Sequence, residues 1–302
     1  MEPRIVFMGT PEFAVASLDA LIKAKYNVVG VITAPDKPAG RGMKMNESAV
    51  KKYAVEHSLQ VLQPEKLKNP EFLSQLKELN ADLQVVVAFR MLPEVVWNMP
   101  PLGTINVHAS LLPKYRGAAP VNWAIINGEK ESGVTTFKLT HEIDTGNILL
   151  QQKVQINDDD DAGALHDKLK EAGAQLLIKT VNGIADNSIT EQPQKVEAII
   201  HAPKLNTDTA KINWNLPVVN IHNLVRGLSP YPGAFTLLKD KVFKIYKSDF
   251  KTVSPAVAPG DYETDNKSYF RFAAIDGYIY AKEVQAEGKR RMGIEEFLRG
   301  FR

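Results

Sequence analysis

Short apolar runs alternate with stretches of helical spacing along the first part of this chain. Strands are predicted where runs rich in β-branched and aromatic residues occur, at residues 4–8, 28–33, 61–63, 83–89 and 104–108. Helices are predicted where apolar residues recur three and four apart, at residues 13–24, 47–57, 71–79 and 161–181. Such alternation is typical of βαβ units with right-handed crossovers, so it predicts an α/β, Rossmann-like domain on a parallel sheet. Residues 83–89 are apolar enough to be buried on both faces, which predicts a strand at the centre of that sheet.

The pattern changes in the last third of the chain. Helical spacing fades into polar residues with scattered Pro and Asn, which predicts a linker at residues 190–206. A helix at 218–228 then precedes five short alternating runs, at residues 234–238, 242–247, 269–272, 278–282 and 283–286. Five short strands predict a small β-barrel of the OB-like kind. The sequence therefore predicts a first domain over residues 1–189, the linker, and a second domain over residues 207–302.

Composition excludes several classes of protein. Hydrophobic residues make up 44% of the chain and charged residues 24%, so the chain can bury a core and is not disordered throughout. No apolar run reaches the ~18 residues that a membrane helix needs, and the N-terminus lacks the charged-then-apolar pattern of a signal peptide. We therefore expect a cytoplasmic protein. The absence of cysteine excludes disulfides, thiolate metal ligands and cysteine nucleophiles, so any catalysis must use other groups.

Charge is unevenly distributed between the two parts of the chain. Residues 1–203 hold 21 Lys and Arg against 24 Asp and Glu, whereas residues 204–302 hold 16 against 11. A mildly acidic first part joined to a basic second part suggests a polyanionic partner for the second part. A slightly basic domain with no nucleic-acid partner is the alternative, and the charge count alone favours it.

Three residue types suited to acyl transfer are predicted near one strand end. Asn106 and His108 are two apart on a predicted strand, so they share one face at the carboxyl edge of the sheet, where open α/β folds bind ligands. Asp144, in an Asp-Thr-Gly sequence, comes from a later loop. An amide donor can stabilise an oxyanion, while a carboxylate orients and tunes an imidazole. Taken singly, a strand histidine is more often a hydrogen-bonded core residue, and Asp-Thr-Gly is often only a turn.

The conjunction of these residues resembles the signature of a known family. Asn-x-His-x-Ser-Leu-Leu-Pro at 106–113, with Asp-x-Gly at 144–146, is similar to the motif of the folate-dependent formyltransferases. The resemblance implies that Asn106, His108 and Asp144 are catalytic, that 10-formyltetrahydrofolate is the formyl donor, and that no metal takes part. It also implies that four consecutive residues border the folate: Ser110, Leu111, Leu112 and Pro113.

A second segment of the expected folate pocket departs from the family pattern. Many relatives carry Tyr-Gly-x-Ile/Leu-Leu-Pro at the position of Phe89-Arg90-Met91-Leu92-Pro93. By resemblance, four residues of this segment are also expected to bind the cosubstrate: Phe89, Arg90, Met91 and Leu92. The departure places the Arg90 side chain near the expected pterin.

The opening of the chain indicates which branch of that family it resembles. Residues 5–14 are similar to the start of the methionyl-tRNA formyltransferases, and Gly9 is not followed by the spacing of a dinucleotide fingerprint. The resemblance places Phe13 near the methionine side chain of the substrate. A core aromatic residue at the first turn of a helix is the alternative interpretation of Phe13.

Residues 33–44 are too rich in Pro and Gly for regular structure and are predicted to form an exposed loop. Lys37 and Lys44 are candidates for phosphate contacts, and Arg41, between two glycines, is a candidate for base edges. In the methionyl-tRNA enzymes, a matching loop inserts toward the acceptor end of the tRNA. The alternative is a solvated loop between a strand and a helix.

Two C-terminal segments, residues 226–234 and 285–292, resemble the second domain of the same enzymes. The resemblance implies an initiator methionyl-tRNA partner, which a small basic barrel could hold through its phosphates. The candidate cations of this domain are Lys204, Lys211, Lys289, Arg290 and Arg291. For each of them singly, a solvated position is the alternative.

Four consecutive acidic residues, Asp158 to Asp161, invite a metal assignment. Oxygen-rich metal sites draw their ligands from defined loop spacings that this run lacks. We therefore predict that these residues cap the following helix.

The resemblance implies direct attack of an amine on the formyl carbon, without a covalent enzyme intermediate. Two proton schemes are open: His108 as base oriented by Asp144, or protonated His108 stabilising charge while Asp144 acts as base through water. A formyltransferase for a small amine, such as a nucleotide sugar or glycinamide ribonucleotide, is one rival function. A non-catalytic binding module for folate or RNA is another. No exposed apolar element clearly requires a partner, so we expect a monomer.

Overall fold

The structure, a computed structural model, describes residues 2–39, 44–195 and 198–301. The chain divides into two compact units that interleave along the sequence. The first unit comprises Met1–Gly117, Gly133–Val154 and His166–His201. The second comprises Ala118–Ser132, Gln155–Leu165 and Ala202–Arg302.

The strands and helices are numbered in chain order. The strands are β1 (Ile5–Gly9), β2 (Val28–Ile32), β3 (Lys37–Ala39), β4 (Lys44–Asn46), β5 (Val61–Leu62), β6 (Leu83–Val87), β7 (Thr104–His108), β8 (Arg116–Gly117), β9 (Glu131–Lys138), β10 (Ile148–Gln155), β11 (His201–Ala202), β12 (Ala234–Leu238), β13 (Lys241–Thr252), β14 (Tyr262–Thr264), β15 (Phe270–Ala273), β16 (Gly277–Ala286) and β17 (Met292–Gly293). The helices are α1 (Glu12–Lys23), α2 (Ala49–Glu56), α3 (Pro70–Glu78), α4 (Glu94–Trp97), α5 (Pro120–Ile126), α6 (Ala162–Ala185), α7 (Thr207–Ala210), α8 (Val218–Gly227) and α9 (Ile294–Arg299).

The main sheet has the order β10-β9-β7-β6-β1-β2-β5. Its five strands from β7 to β5 are parallel, and β9 lies antiparallel beside β7. All five residues of β6 are buried, and this strand lies fourth of seven, which confirms the predicted centre of the sheet. The parallel α/β architecture is also confirmed. The sequence pattern did not predict β9 and β10, because Ser, Gly and Thr interrupt the apolar residues of β9 and Gln and Lys interrupt those of β10.

Local hydrogen bonds start several helices where the sequence places capping residues. Ser48 accepts from the Lys51 N–H at 3.0 Å to begin α2, and Asn69 precedes Pro70 at the start of α3. Asp161 accepts from the Ala164 N–H at 2.9 Å at the start of α6. This bond confirms the predicted capping role for the last residue of the acidic run. Among the described residues, no group of three or more His, Asp or Glu is placed to hold a metal ion.

The sequence predicts irregular structure throughout residues 33–44, and this prediction is wrong for part of the region. Lys37–Ala39 and Lys44–Asn46 pair as an antiparallel hairpin, because backbone bonds between two short arms can form even in a Pro-rich segment. At the base of the hairpin, the Lys51 ammonium donates to Asp36, and Gln63 Nε2 donates to Asp36 Oδ1 at 2.8 Å. The hydrogen bond from Lys51 is the main reason that the pKa of Asp36 is lowered. The base of the hairpin is thus tied to α2 and to the end of β5.

The second unit contains a six-stranded sheet with the order β12-β13-β16-β15-β14, and β17 also pairs with β16. The strands are antiparallel and the sheet is curled into a half-barrel, which confirms the predicted small β-rich domain. The two runs predicted separately at 278–282 and 283–286 are one strand, β16, which continues alongside β13 through a register irregularity. Phe243, Phe270 and Phe272 are buried in its core, where the side chains of α8 also pack.

Within the described part of the chain, no helix combines the length and the apolar character needed to cross a membrane.

Candidate active site

Asn106 and His108 lie on one face of β7, near its carboxyl end. Val107, between them, faces the opposite way, towards α6. Its Cγ1 atom lies so near Gly173 of α6 that a Cβ added to this glycine would be only 3.2 Å away. Asn106 is in register with Val86 on β6, and Val86 belongs to the apolar cluster formed with α3 and α4. Strand partners in register share a face, so the two polar side chains project together on the side of α3 and α4.

A tight turn after β7 orients the imidazole of His108. His108 is 7% exposed, and its Nε2 atom lies 2.9 Å from the carbonyl oxygen of Tyr115. A carbonyl oxygen only accepts, so Nε2 carries the proton and Nδ1 carries the lone pair of the neutral ring. Tyr115 has φ of 61°, and this left-handed conformation is part of the turn that presents its carbonyl oxygen to the ring.

Asp144 lies on the Nδ1 side of the same ring. Its Oδ2 atom is 3.8 Å from His108 Nδ1, and the N–H of Gly117 donates to Oδ2 at 2.9 Å. Asp144 adopts φ of 55°, a conformation that aspartate tolerates better than most residues. Gly146, two residues later, is required by space, because a Cβ there would lie 1.6 Å from the carbonyl oxygen of Lys138. The turn therefore holds the carboxylate in one place beside the imidazole.

The carboxamide of Asn106 is available for a ligand. The side chain is half-buried, and among the described residues its amide has no hydrogen-bond partner. A partly desolvated donor two residues from the imidazole is placed to interact with charge that develops beside it. The arrangement offers an amide donor, an imidazole with a defined tautomer and a carboxylate, which together suit proton transfer and oxyanion stabilisation in acyl transfer.

The segment from Ser110 to Pro113 follows β7 directly. Ser110 is fully buried, and its hydroxyl donates to the carbonyl oxygen of Lys114 at 2.6 Å. The Leu112 N–H donates to Thr135 Oγ1 at 3.1 Å. Ser110 and Leu112 thus shape the turn from within, whereas Leu111 and Pro113 keep part of their surface exposed.

The segment from Phe89 to Leu92 follows β6, the neighbour of β7. Leu92 is buried, Phe89 packs on the same apolar cluster, and Met91 is 69% exposed. The Arg90 guanidinium donates to the carbonyl oxygens of Pro64 and Glu65, which follow β5. Burial lowers the pKa of Arg90. The departure from the family pattern at this position therefore ties two loops at the sheet edge together.

Phe13 lies at the first turn of α1 and is 7% exposed. Its ring meets the imidazole of His166 edge-on, with the ring centroids 5.2 Å apart. Of the loop cations, Lys37 lies on the hairpin and is exposed, and Lys44 is the first residue of β4. Arg41 lies outside the described residues.

The five cations predicted for the C-terminal part all lie in the second unit, in different settings. Lys204, Lys211 and Lys289 are exposed. Arg290 pairs with Glu296, and Arg291 makes a two-bond ion pair with Glu283 at 2.6 and 2.7 Å. The Arg291 guanidinium also lies 4.3 Å from the centre of the Tyr246 ring. Arg291 is therefore engaged within the protein itself, whereas the three lysine side chains form no ion pair with the residues that the structure describes.

Sequence reasoning missed several residues that hold the site together. The carbonyl of Tyr115, the N–H of Gly117 and the carboxamide of Gln194 all contact His108 or the Asp144 turn. Two of these contacts use a backbone carbonyl or N–H, which all residue types except proline have in common, so no side-chain pattern could reveal them. Gln194 lies in the stretch predicted as a linker, where a polar residue gives no local signal.

Comparisons with known proteins show which family the chain belongs to. The profile of the formyl transferase family matches residues 3–181, and that of the formyl transferase C-terminal domain matches residues 204–302. A methionyl-tRNA formyltransferase of Parabacteroides distasonis is 54% identical over 310 residues, covering 99% of this chain and 96% of its own. One of Bacteroides fragilis is 52% identical over 307 residues, covering 99% and 95%.

The fold also matches a solved enzyme at lower identity. An N-formyltransferase of Helicobacter canadensis, solved with folinic acid and dTDP-3-aminofucose, superposes with a TM-score of 0.69 at 24% sequence identity. The match covers 94% of this chain and 99% of that one. The chain belongs to the formyl transferase family. The resemblance expected from the sequence is thereby confirmed.

Proposed function

We propose that this protein transfers a formyl group from 10-formyltetrahydrofolate to the α-amino group of methionine on the initiator tRNA. The observation that carries the proposal is the group of Asn106, His108 and Asp144 at the carboxyl edge of the sheet, with His108 Nδ1 3.8 Å from Asp144 Oδ2. High identity to methionyl-tRNA formyltransferases over both domains supports the choice of acceptor.

We assign the folate to the edge of the sheet where β6 and β7 end. Residues 89–92 and 110–113 follow these neighbouring strands, so both segments lie beside the carboxyl end that carries His108. The exposed surfaces of Met91, Leu111 and Pro113 suit an aromatic ring system. In this arrangement Ser110 supports the turn, and Arg90 fixes the loop after β5 instead of binding the pterin directly.

In the reaction, the methionyl amine forms a bond to the formyl carbon, and the bond from that carbon to the folate nitrogen breaks. The nucleophile belongs to the substrate, whose free α-amine has a pKa of about 7.7–8.0 and is partly neutral near pH 7. The attacking nitrogen loses a proton, and the departing folate nitrogen gains one. Asn106 donates to the oxyanion that forms on the former carbonyl oxygen.

The proton passes through the edge where His108 and Asp144 face each other. With Nε2–H donated to Tyr115, the neutral imidazole offers the Nδ1 lone pair as a base. In the alternative scheme, the ring is protonated on both nitrogens, stabilises negative charge, and leaves the proton transfer to Asp144 through water. Profiles of kcat against pH for His108 and Asp144 variants separate the schemes. Removing the base abolishes the decline of kcat at acidic pH, whereas removing the electrostatic partner only lowers the plateau of kcat.

We assign the tRNA to the hairpin region and to the basic C-terminal part of the chain, residues 204–302. Lys37, Arg41 and Lys44 belong to the segment that resembles the acceptor-end loop of the methionyl-tRNA enzymes. In the second unit, the exposed Lys204, Lys211 and Lys289 are suited to phosphate contacts. Arg290 and Arg291 contribute less, since each already pairs with a glutamate.

The test is formylation of charged tRNA by the purified protein with 10-formyltetrahydrofolate. Wild type should form formylmethionyl product on methionyl initiator tRNA, while methionyl elongator tRNA serves as control. Asn106→Ala should be nearly inactive, and Arg41→Ala should be weakened mainly in KM for the tRNA. A dTDP-aminosugar in place of tRNA tests the rival substrate class. Formylation of the sugar but of no charged tRNA would overturn the proposed acceptor.

A further inference from the structure

The segment after α6 runs back along the turn that carries Asp144. We call residues 191–194 the strap. Glu191 pairs with Lys138 at 2.6 Å, and Gln192 exchanges two backbone hydrogen bonds with Ile148 at 2.8 and 2.9 Å. These contacts hold the strap without any contribution from the side chain of Gln194. All of these residues belong to the first unit.

The carboxamide of Gln194 is hydrogen-bonded on both sides. Its Nε2 donates to the carbonyl oxygens of Asp144 and Gly146, each at 2.8 Å. Its Oε1 accepts from Nε and a terminal nitrogen of Arg116 at 3.1 and 2.7 Å. A glutamine amide has two N–H donors and two lone pairs on oxygen, so all four are used here. Because the carbonyls can only accept and Arg116 can only donate, the partners fix which way the amide points.

This amide joins the two segments that meet at the Asp144 carboxylate. One segment is the turn of Asp144 itself, and the other is Arg116-Gly117, whose Gly117 N–H donates to Asp144 Oδ2. Asp144 is held at φ of 55°, so a small rotation of its turn would swing the carboxylate away from His108. The Gln194 amide, with all of its donors and acceptors bonded to the two segments, opposes that rotation.

We propose that Gln194 is a positioning residue that sets the carboxylate of Asp144 against His108 during formyl transfer. The inference rests on the proposed function, in which Asp144 takes part in the reaction. It assigns a role in catalysis to a residue of the predicted linker. Gln194 touches neither substrate in this role and acts only through Asp144.

The decisive variant is Gln194→Glu, which keeps the shape of the side chain. Its carboxylate can still accept from Arg116, but it cannot donate to the carbonyl oxygens of Asp144 and Gly146. We expect kcat to fall about tenfold or more, since displacements on the order of 1 Å in an active site cost up to ~100-fold. KM for both substrates should change less than about twofold, because neither substrate loses a contact. The midpoint of thermal unfolding should stay close to that of wild type, because Glu191 and Gln192 still hold the strap.

Two further variants make the result specific. Gln192→Glu is the matched control, because it makes the same chemical change two residues earlier at an exposed side chain, and it should keep wild-type kcat. Gln194→Met removes the hydrogen bonds to the Asp144 turn, and also those from Arg116, without adding charge. It replaces Gln194→Glu if the carboxylate prevents folding. Wild-type kcat in a folded Gln194→Met would overturn the proposal.

A double-mutant cycle with Asp144→Asn tests the route of the effect. If Gln194 acts through Asp144, the double variant should be about as slow as Asp144→Asn alone. If the two losses in kcat multiply, Gln194 does not act through Asp144 and the proposal is wrong. Absence of formyl transfer to methionyl-tRNA by wild type would instead overturn the proposed function, and the positioning role with it.

Discussion

His108 presents Nδ1 to Asp144 Oδ2 across 3.8 Å, while its Nε2 donates to a backbone carbonyl. A separation of 3.8 Å exceeds a hydrogen bond, so the pair interacts electrostatically, and most strongly when the ring is protonated. The carboxylate is itself fixed by the Gly117 N–H. In the proposed reaction the two groups handle the proton together, and their geometry depends on backbone contacts. The predictions below test this pair and its surroundings.

Asn106→Ala should lower kcat about 100- to 1,000-fold, because losing one oxyanion donor costs about 2.7–4 kcal/mol of transition-state stabilisation. KM for either substrate should change little. Steady-state formylation of methionyl-tRNA measures both constants. Asn98→Ala, at an exposed position after α4, is the control and should behave as wild type. Equal losses in both variants would rule out a specific role for Asn106.

Asp144→Asn should lower kcat by about 100-fold or more, the range expected for loss of an acid–base group. Asparagine tolerates φ of 55° and can still accept from the Gly117 N–H, so the turn should persist. Asp240→Asn is a matched control, since Asp240 is exposed and also has a left-handed backbone, with φ of 60°. Near wild-type kcat in Asp144→Asn would mean that the charge of this residue is dispensable.

Gly146→Ala should reduce both stability and kcat. The added Cβ would lie 1.6 Å from the carbonyl oxygen of Lys138, so the Asp144 turn must shift. Overpacking of this kind costs about 1–3 kcal/mol of unfolding free energy. Urea unfolding and formylation rates measure the two effects. Gly293→Ala, where a Cβ meets nothing within 4 Å, should leave both unchanged.

Lys289→Ala and Arg291→Ala should have different effects. Lys289 is exposed, so its loss should weaken tRNA binding and reduce the salt dependence of that binding without changing the unfolding midpoint. Arg291 pairs with Glu283 and covers Tyr246, so its loss should mainly lower stability, by about 1 kcal/mol. Filter binding at several salt concentrations and thermal unfolding separate the two. Identical behaviour of the two variants would contradict the assignment.

His222→Gln should reduce the loss of stability in mild acid. The pKa of His222 is lowered from 6.5 to about 4, mainly by burial and also by nearby Arg226, while Asp249 acts in the opposite direction. The unfolded chain therefore takes up this proton first, so the unfolding free energy falls as the pH drops from about 6.5 towards 4. Glutamine can still bond Ser248, the partner of His222 at 3.0 Å.

Urea unfolding at about pH 7.5 and at about pH 4.5 gives the difference in unfolding free energy for each protein. These two values lie on either side of about 6.5, the ordinary pKa of histidine. The difference should be smaller in His222→Gln than in wild type. His201→Gln, at an exposed position, controls for the loss of an imidazole. An equal difference in all three proteins would show that His222 does not contribute to the acid sensitivity.

The local patterns of the chain were sufficient for most of the secondary structure. Strand runs and helical spacing located the five parallel strands and the long helices, because burial on a sheet or against a helix imposes a period that is visible in the sequence. Capping residues such as Asp161 were recognisable because they bond a backbone group only three residues later, and so stand directly before the helical pattern in the sequence. The hairpin from Lys37 to Asn46 was missed, since its pairing follows from backbone geometry and not from any apolar period.

The sequence by itself determined the α/β architecture, the central position of β6 and the identity of the three candidate catalytic residues. The tertiary structure decided how those residues are held. Gln194 reaches Asp144 across 50 positions of sequence and Arg116 across 78. Hydrogen bonds between such distant segments leave no periodic trace, because their geometry exists only once the sheet has brought the segments together. The orientation of Asp144 towards His108 is therefore a property of the fold, although both residues can be found in the sequence.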